Sequence, residues 1–179
     1  MLSKKYGLTT MKQLLARTRI LILFFVIALF ISGVTAIPLT WETNLLVRLV
    51  RIDWLPLGSL FPELIAWISR VNTGLVETYQ RYTFLAYGTD WLAFAHIVIA
   101  IAFLGALKDP VKNMWVIEFG MIACILVVPW ALFFGSIRGI PFFWLLIDCS
   151  FGVIGIIPLW ICRNMIMQLR NLNQVNLSS

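Results

Sequence analysis

The sequence predicts an all-α membrane protein: a bundle of four transmembrane helices with an external amphipathic helix between the first and second spans. Three observations predict it. Hydrophobic residues make up 61% of the 179 and charged residues only 12%, about half the charged share of a soluble domain. Four apolar runs recur along the chain, each close to the ~20 residues that cross a ~30 Å hydrocarbon core at 1.5 Å per residue. Between the first two runs, polar and apolar residues alternate with a helical period instead. The whole chain, residues 1–179, reads as one integral membrane domain.

Residues 1–19 hold Lys4, Lys5, Lys12, Arg17 and Arg19 and no acid. Such a segment is predicted to form a short basic helix on the inner leaflet. Residues 20–39 are uncharged and form the first span. The basic start, the apolar run and Val34-Thr35-Ala36 also have the form of a signal peptide with a small-residue cleavage site. The long basic region, Pro38 just past that site and the further spans favour an uncleaved helix.

Residues 40–89 form the external segment. A short helix is expected from Glu42 to Trp54, with Leu45, Leu46 and Leu49 on one side and a break at Pro56 and Gly58. Ser59 and Pro62 then open a second helix, since proline is favoured in a first turn. Glu63, Ala66, Arg70, Thr73, Glu77, Gln80 and Arg81 recur every three or four residues. Leu64, Trp67, Ile68, Val71, Leu75 and Tyr79 take the other face, which makes the helix amphipathic. Glu77 and Arg81 stand at i and i+4, a favourable spacing for a pair. A helix of this kind lies on a membrane surface, caps a bundle or docks a partner.

The second span, 90–107, carries His96 among alanines. Lys108 to Asn113 is a polar turn. The third span, 115–137, has Glu118 near its start and Pro129 near its middle. Arg138-Gly139-Ile140-Pro141 leads into the fourth, 140–162, where Asp148 is the only charge between Arg138 and Arg163. The polar tail beyond is expected to make one or two helical turns. Seven of the eight tryptophans, Trp41, Trp54, Trp67, Trp91, Trp115, Trp144 and Trp160, fall mostly near span ends, as an aromatic belt does.

Orientation follows from the basic residues. The first segment, the 108–113 turn and the tail together carry nine Lys or Arg, including all five lysines; the 40–89 segment and the 138–141 turn carry five, the first four offset by acids. Cytoplasmic loops are the lysine- and arginine-rich ones, so both termini are predicted in the cytoplasm. The compact chain and short tail point to a bacterial inner membrane. The net charge of +6 is juxtamembrane, which speaks against a nucleic-acid partner.

An ionisable residue inside a span is costly and therefore a suspect for function. Residue counts place His96 and Asp148 at similar depth. Asp148 shares a face with Trp144, Gly152 and Gly155, and His96 shares one with Ala93, Ala100 and Phe103. Two small-residue faces can pack closely, which predicts an Asp148–His96 hydrogen bond. Its plain role is helix packing; its functional roles are a proton relay, an anchor for a ligand, or general acid/base chemistry. Glu118 is expected to pair with Lys112 or Arg163. Asp90 and Arg138, at the outer ends of the second and third spans, are candidates for an outer salt bridge.

Other chemistries find no residues. One histidine excludes a bis-histidine haem within the chain. Cys124, Cys149 and Cys162 form no CxxC pair, and no zinc set, phosphate loop, nucleophile elbow or HExxH occurs. No cofactor or metal is predicted. One span, a long outer segment with amphipathic helices and then three closely linked spans resembles the layout of the four-helix sterol-binding membrane family that includes the emopamil-binding proteins. The resemblance is one of arrangement and assigns no residue a role.

Two function classes follow. The first is a non-catalytic membrane protein, either a subunit of a larger complex or a binder of an apolar ligand such as a lipid, sterol or quinone. Its partners would be the bilayer, a partner membrane subunit or a second copy, and an apolar small molecule. The second is a small membrane enzyme or proton-coupled carrier that uses His96 and Asp148. Few polar groups and no nucleophile with a recognisable base favour the first.

Overall fold

The computed structural model describes residues 2–50 and 60–178, with side chains described for 11–50 and 60–174. The described residues are almost all helical, with no strand among them. In order they form α1 (Leu2–Ala36), α2 (Leu39–Val50), α3 (Pro62–Arg81), a 3₁₀ turn (Thr83–Ala86), α4 (Tyr87–Lys108), α5 (Met114–Ile137) and α6 (Phe142–Ser178). Four stretches are long and apolar enough to cross a membrane: Met11–Ala36, Thr83–Lys108, Met114–Ile137 and Phe142–Gln174.

Several helix limits differ from those expected, each for a local reason. The basic segment does not form a helix of its own; α1 runs from it into the apolar run without a proline to interrupt it. Helix α1 ends where Ile37 N–H bonds the Val34 carbonyl and Pro38 follows. Helix α2 starts at Leu39 instead of Glu42, with Glu42 N–H on the Pro38 carbonyl. The expected end at Trp54, the break at Pro56 and Gly58 and the start at Ser59 lie outside the described residues. Helix α6 does not fray after Cys162. Leu159, Cys162, Ile166 and Leu169, spaced three and four apart, are all buried, and that continuous stripe outweighs the weak helix preference of the tail asparagines.

The chain divides into two compact units. Unit 1 comprises Met1–Ile27 and Ala100–Ser179. Its fully buried side chains include Ile22, Phe103, Ile117, Leu159 and Ile166. Gly120 lets them meet, because a Cβ there would stand 3.0 Å from Phe103 and 3.2 Å from Leu159. Helices α5 and α6 pack along each other. A Cβ on Gly152 would strike the Cys124 backbone carbonyl, and one on Gly155 would sit 3.1 Å from Cys124 Sγ. Pro129 and Pro158 lie within α5 and α6, which stay continuous around them.

The α5–α6 turn closes by backbone bonds alone. Ile140 N–H bonds the Gly135 carbonyl at 2.9 Å and Gly139 N–H the Ser136 carbonyl at 3.3 Å. That pair of bonds is a Schellman motif, and Gly139 occupies its left-handed position with φ +68°.

Unit 2 is Ala28–Ile99. Here α2 packs on α3 through a polar ladder. Thr43 Oγ1 donates to Asn72 Oδ1 at 2.8 Å, and Asn72 Nδ2 donates to Asn44 Oδ1 at 3.1 Å. On α3, Ile68 is buried and Leu64, Trp67, Val71, Leu75 and Tyr79 are half-buried, while Glu63, Arg70, Glu77, Gln80 and Arg81 are exposed. Arg81 lays its guanidinium over Tyr82, 5.4 Å from the ring centroid, and makes no ion pair with Glu77. Gly33 brings α1 against α4, its virtual Cβ 2.9 Å from the Ala93 carbonyl and 3.1 Å from the His96 Cβ.

These contacts set different costs for three glycine-to-alanine changes. Gly152→Ala meets backbone that cannot rotate away and should destabilise by about 1–3 kcal/mol. Gly139→Ala has open space but a strained φ, and should cost about 1–2 kcal/mol. Gly74→Ala, open and mid-helix, should stabilise by about 0.5–1 kcal/mol. Thermal melts in detergent check the order.

Candidate functional site

The polar groups of unit 1 gather at two levels. Within the apolar stretches, Glu118 on α5 and Arg163 on α6 form an ion pair, Arg163 Nε to Glu118 Oε1 at 2.9 Å. Arg163 is the expected partner that closes the pair; Lys112 instead bonds Asp109 at 3.5 Å in the turn. Arg163 Nη1 also rests 3.2 Å from Met167 Sδ. Both ionic side chains keep about a third of their surface exposed, so the pair sits on the outside of the helix hairpin. In hydrocarbon a bonded ion pair costs far less than either charge alone.

The second level is the end of α4, where four orphan carbonyls need partners. Arg19 of α1 reaches across to supply two, with Nε on the Leu107 carbonyl at 3.2 Å and Nη2 on the Lys108 carbonyl at 3.0 Å. Asn113 does not cap its own helix. Its Nδ2 turns back onto the Gly105 and Asp109 carbonyls, each at 3.0 Å. Asp109 Oδ1 accepts the Lys112 N–H at 3.1 Å. A cation at a helix C-terminus is further favoured by the helix dipole.

The capping contact of Arg19 on α4 is one the sequence does not announce. Arg19 reads as one of five orientation charges, and no spacing in α1 reveals that it caps another helix. Asn72 was legible in principle. It interrupts the apolar face of α3 between Ile68 and Leu75, where a half-buried amide calls for a partner.

His96 is half-buried on α4. Its Nδ1 lies 2.8 Å from the Leu92 carbonyl one turn back. A carbonyl only accepts, so the proton sits on Nδ1 and Nε2 carries the lone pair in the neutral ring. On the same face of α4, Ala93, Ala100 and Phe103 are buried, and Gly33 of α1 packs on the Ala93–His96 part. Asp148 is half-buried on α6 and makes no hydrogen bond or ion pair among the described residues. The glycines that share its face are taken up by α5, at Cys124 and Val127. Next to it Cys149 Sγ points at the Val128 carbonyl, 3.9 Å away. His96 belongs to unit 2 and Asp148 to unit 1.

Asp90 and Arg138 each serve their own helix end. Asp90 is exposed in the first turn of α4, beside Tyr87, Trp91 and Phe94 in an open cleft of about 250 Å³. Arg138 is the exposed C-cap of α5. An acid at a helix start and a base at a helix end both oppose the dipole favourably, and neither makes an ion pair among the described residues. Among those residues no three His, Cys, Asp or Glu converge as metal ligands.

An all-helical chain with four helices long and apolar enough to span defines a class, that of proteins compatible with integral membrane insertion. No family model, curated protein or solved structure matches the chain, so the resemblance of layout to the emopamil-binding proteins has no match behind it.

The ion pair predicts a thermodynamic cycle. Glu118→Ala leaves Arg163 unpaired and should destabilise by about 1–3 kcal/mol, and adding Arg163→Leu should recover part of that loss. Melting curves of the two single variants and the double variant in detergent measure the coupling.

Proposed function

We propose that this chain is a four-span integral membrane protein without catalytic activity. It serves as a subunit of a larger membrane complex or as a binder of an apolar ligand of the lipid, sterol or quinone class. The observation that carries this reading is the exterior of the four long helices. No more than 28% of any span window is buried inside the chain, and Phe24, Trp130, Phe133, Phe151 and Trp160 all face outward. Such surface needs lipid or a partner to cover it. Glu118–Arg163, the one ion pair within the apolar stretches among the described residues, is satisfied by the chain itself, which suits a structural role.

The membrane is the bacterial inner membrane, both termini are cytoplasmic and α3 lies in the outer interface. Supporting that orientation, Arg19 touches the end of α4, so basic segments assigned to the cytoplasmic side by charge count lie together in unit 1. Supporting an interfacial α3, its charged residues share one exposed face.

Two experiments test the reading. Alkaline-carbonate extraction should leave the chain in the membrane pellet, and alkaline phosphatase fused after Gly88 should be active while a fusion after Gln174 is silent. Native mass spectrometry of gently extracted protein should then show a stoichiometric partner protein or a retained apolar small molecule. A bare homodimer would instead move the proton-coupled carrier, with His96 and Asp148 as its relay, to the front.

A further inference from the structure

Unit 1 contains a cavity of about 470 Å³ at the α4–α5 turn, where α1 and the last part of α6 also line the wall. Lys12, Arg19, Lys108 and Lys112 line it against a single carboxylate, Asp109. Lys12, Lys108 and Lys112 are exposed, so their ammonium groups stay solvated at the rim of the cavity. Arg19 is held in place by the Leu107 and Lys108 carbonyls, which fixes one cation without neutralising it. Lys12 and Lys108 make no ion pair among the described residues.

The rest of the wall is apolar. Leu15, Pro110 and Leu169 line it, and Pro110 and Leu169 are buried. A cavity with an excess of cations at its rim and hydrocarbon in its wall is suited to a molecule with an anionic head and an apolar body. Basic pockets between helices at a membrane surface bind anionic lipid headgroups. A phosphate offers several acceptor oxygens to such a cluster, and its bonds to cations are the strong, charge-assisted kind.

We propose that this cavity binds the phosphate headgroup of an anionic phospholipid, whose acyl chains continue along the apolar wall. The proposal rests on the membrane reading above. A soluble phosphate compound shares the headgroup chemistry, and the test separates the two sources.

The full chain, purified in a neutral detergent, is titrated with phosphatidylglycerol, phosphatidylcholine or inorganic phosphate while its melting temperature is followed. Phosphatidylglycerol should raise the melting temperature at concentrations where phosphatidylcholine and phosphate do not. In the triple variant Lys12→Gln, Lys108→Gln, Lys112→Gln the half-maximal lipid concentration should rise about tenfold or more. The control triple Arg48→Gln, Arg70→Gln, Arg81→Gln, which removes the same charge elsewhere, should leave it unchanged. If the first triple variant does not fold, the single reversal Lys12→Glu should show the same direction. Stabilisation by inorganic phosphate equal to that by phosphatidylglycerol overturns the lipid assignment in favour of a soluble phosphate. Equal effects of the two lipids, or an effect that survives the Lys variants, overturns the site. A chain that resists carbonate extraction yet shows no anionic preference sinks this site alone, whereas one released by carbonate sinks the membrane reading first.

Discussion

Helices in hydrocarbon gain little by hiding apolar surface from lipid that is equally apolar, so they associate where their backbones fit closely. The long apolar helices of this chain meet at close approaches of that kind. Gly152 lets α6 lie on the Cys124 carbonyl of α5, Gly120 admits Phe103 and Leu159 together, and Gly33 seats α1 against α4. Around these points the large buried residues, Phe103, Ile117 and Leu159 among them, fill space that the glycines leave. Bulky residues elsewhere on the same helices face outward and add nothing to the internal fit.

Close packing alone leaves polar ends unsatisfied, and the chain meets that demand with few side chains. The end of α4 takes Arg19 and Asn113, the end of α5 uses its own backbone around Gly139, and the α2–α3 contact rests on Thr43, Asn44 and Asn72. Arg19 and the Asn72 contacts join elements that the sequence separates, whereas Asn113 and the Gly139 turn act locally. Thr18, fully buried, shows the alternative: its hydroxyl donates its proton to the Leu14 carbonyl of its own helix.

The four long helices were legible because composition and run length are properties of a stretch, and a stretch can be read alone. The charge near the start of the third span also found its expected partner, since Arg163 was among the two cations within reach of Glu118. What could not be read was which face meets which. The glycine face of α6 was recognisable, yet a glycine advertises only that something comes close; that Cys124 and Val127 fill it is a property of the pair. The run of α6 past Cys162 was hidden for a similar reason. Asparagines in the tail speak locally for fraying, and only the burial of Ile166 and Leu169 overrules them. Arg19 shows the same limit, because a cap donated from another helix leaves no mark in the sequence around it.

The turn at Gly139 has one further consequence, for the order of assembly. Every bond that closes it comes from within residues 134–140, and the two arms it joins already carry their mutual contacts at Gly135, Gly152 and Gly155 and their own ion pair. The α5–α6 hairpin is thus self-sufficient in pairing. During synthesis its arms can find each other as soon as the second is made, with a short path and little chain entropy to lose. Earlier helices need not wait for it to acquire its shape; they have only to receive it.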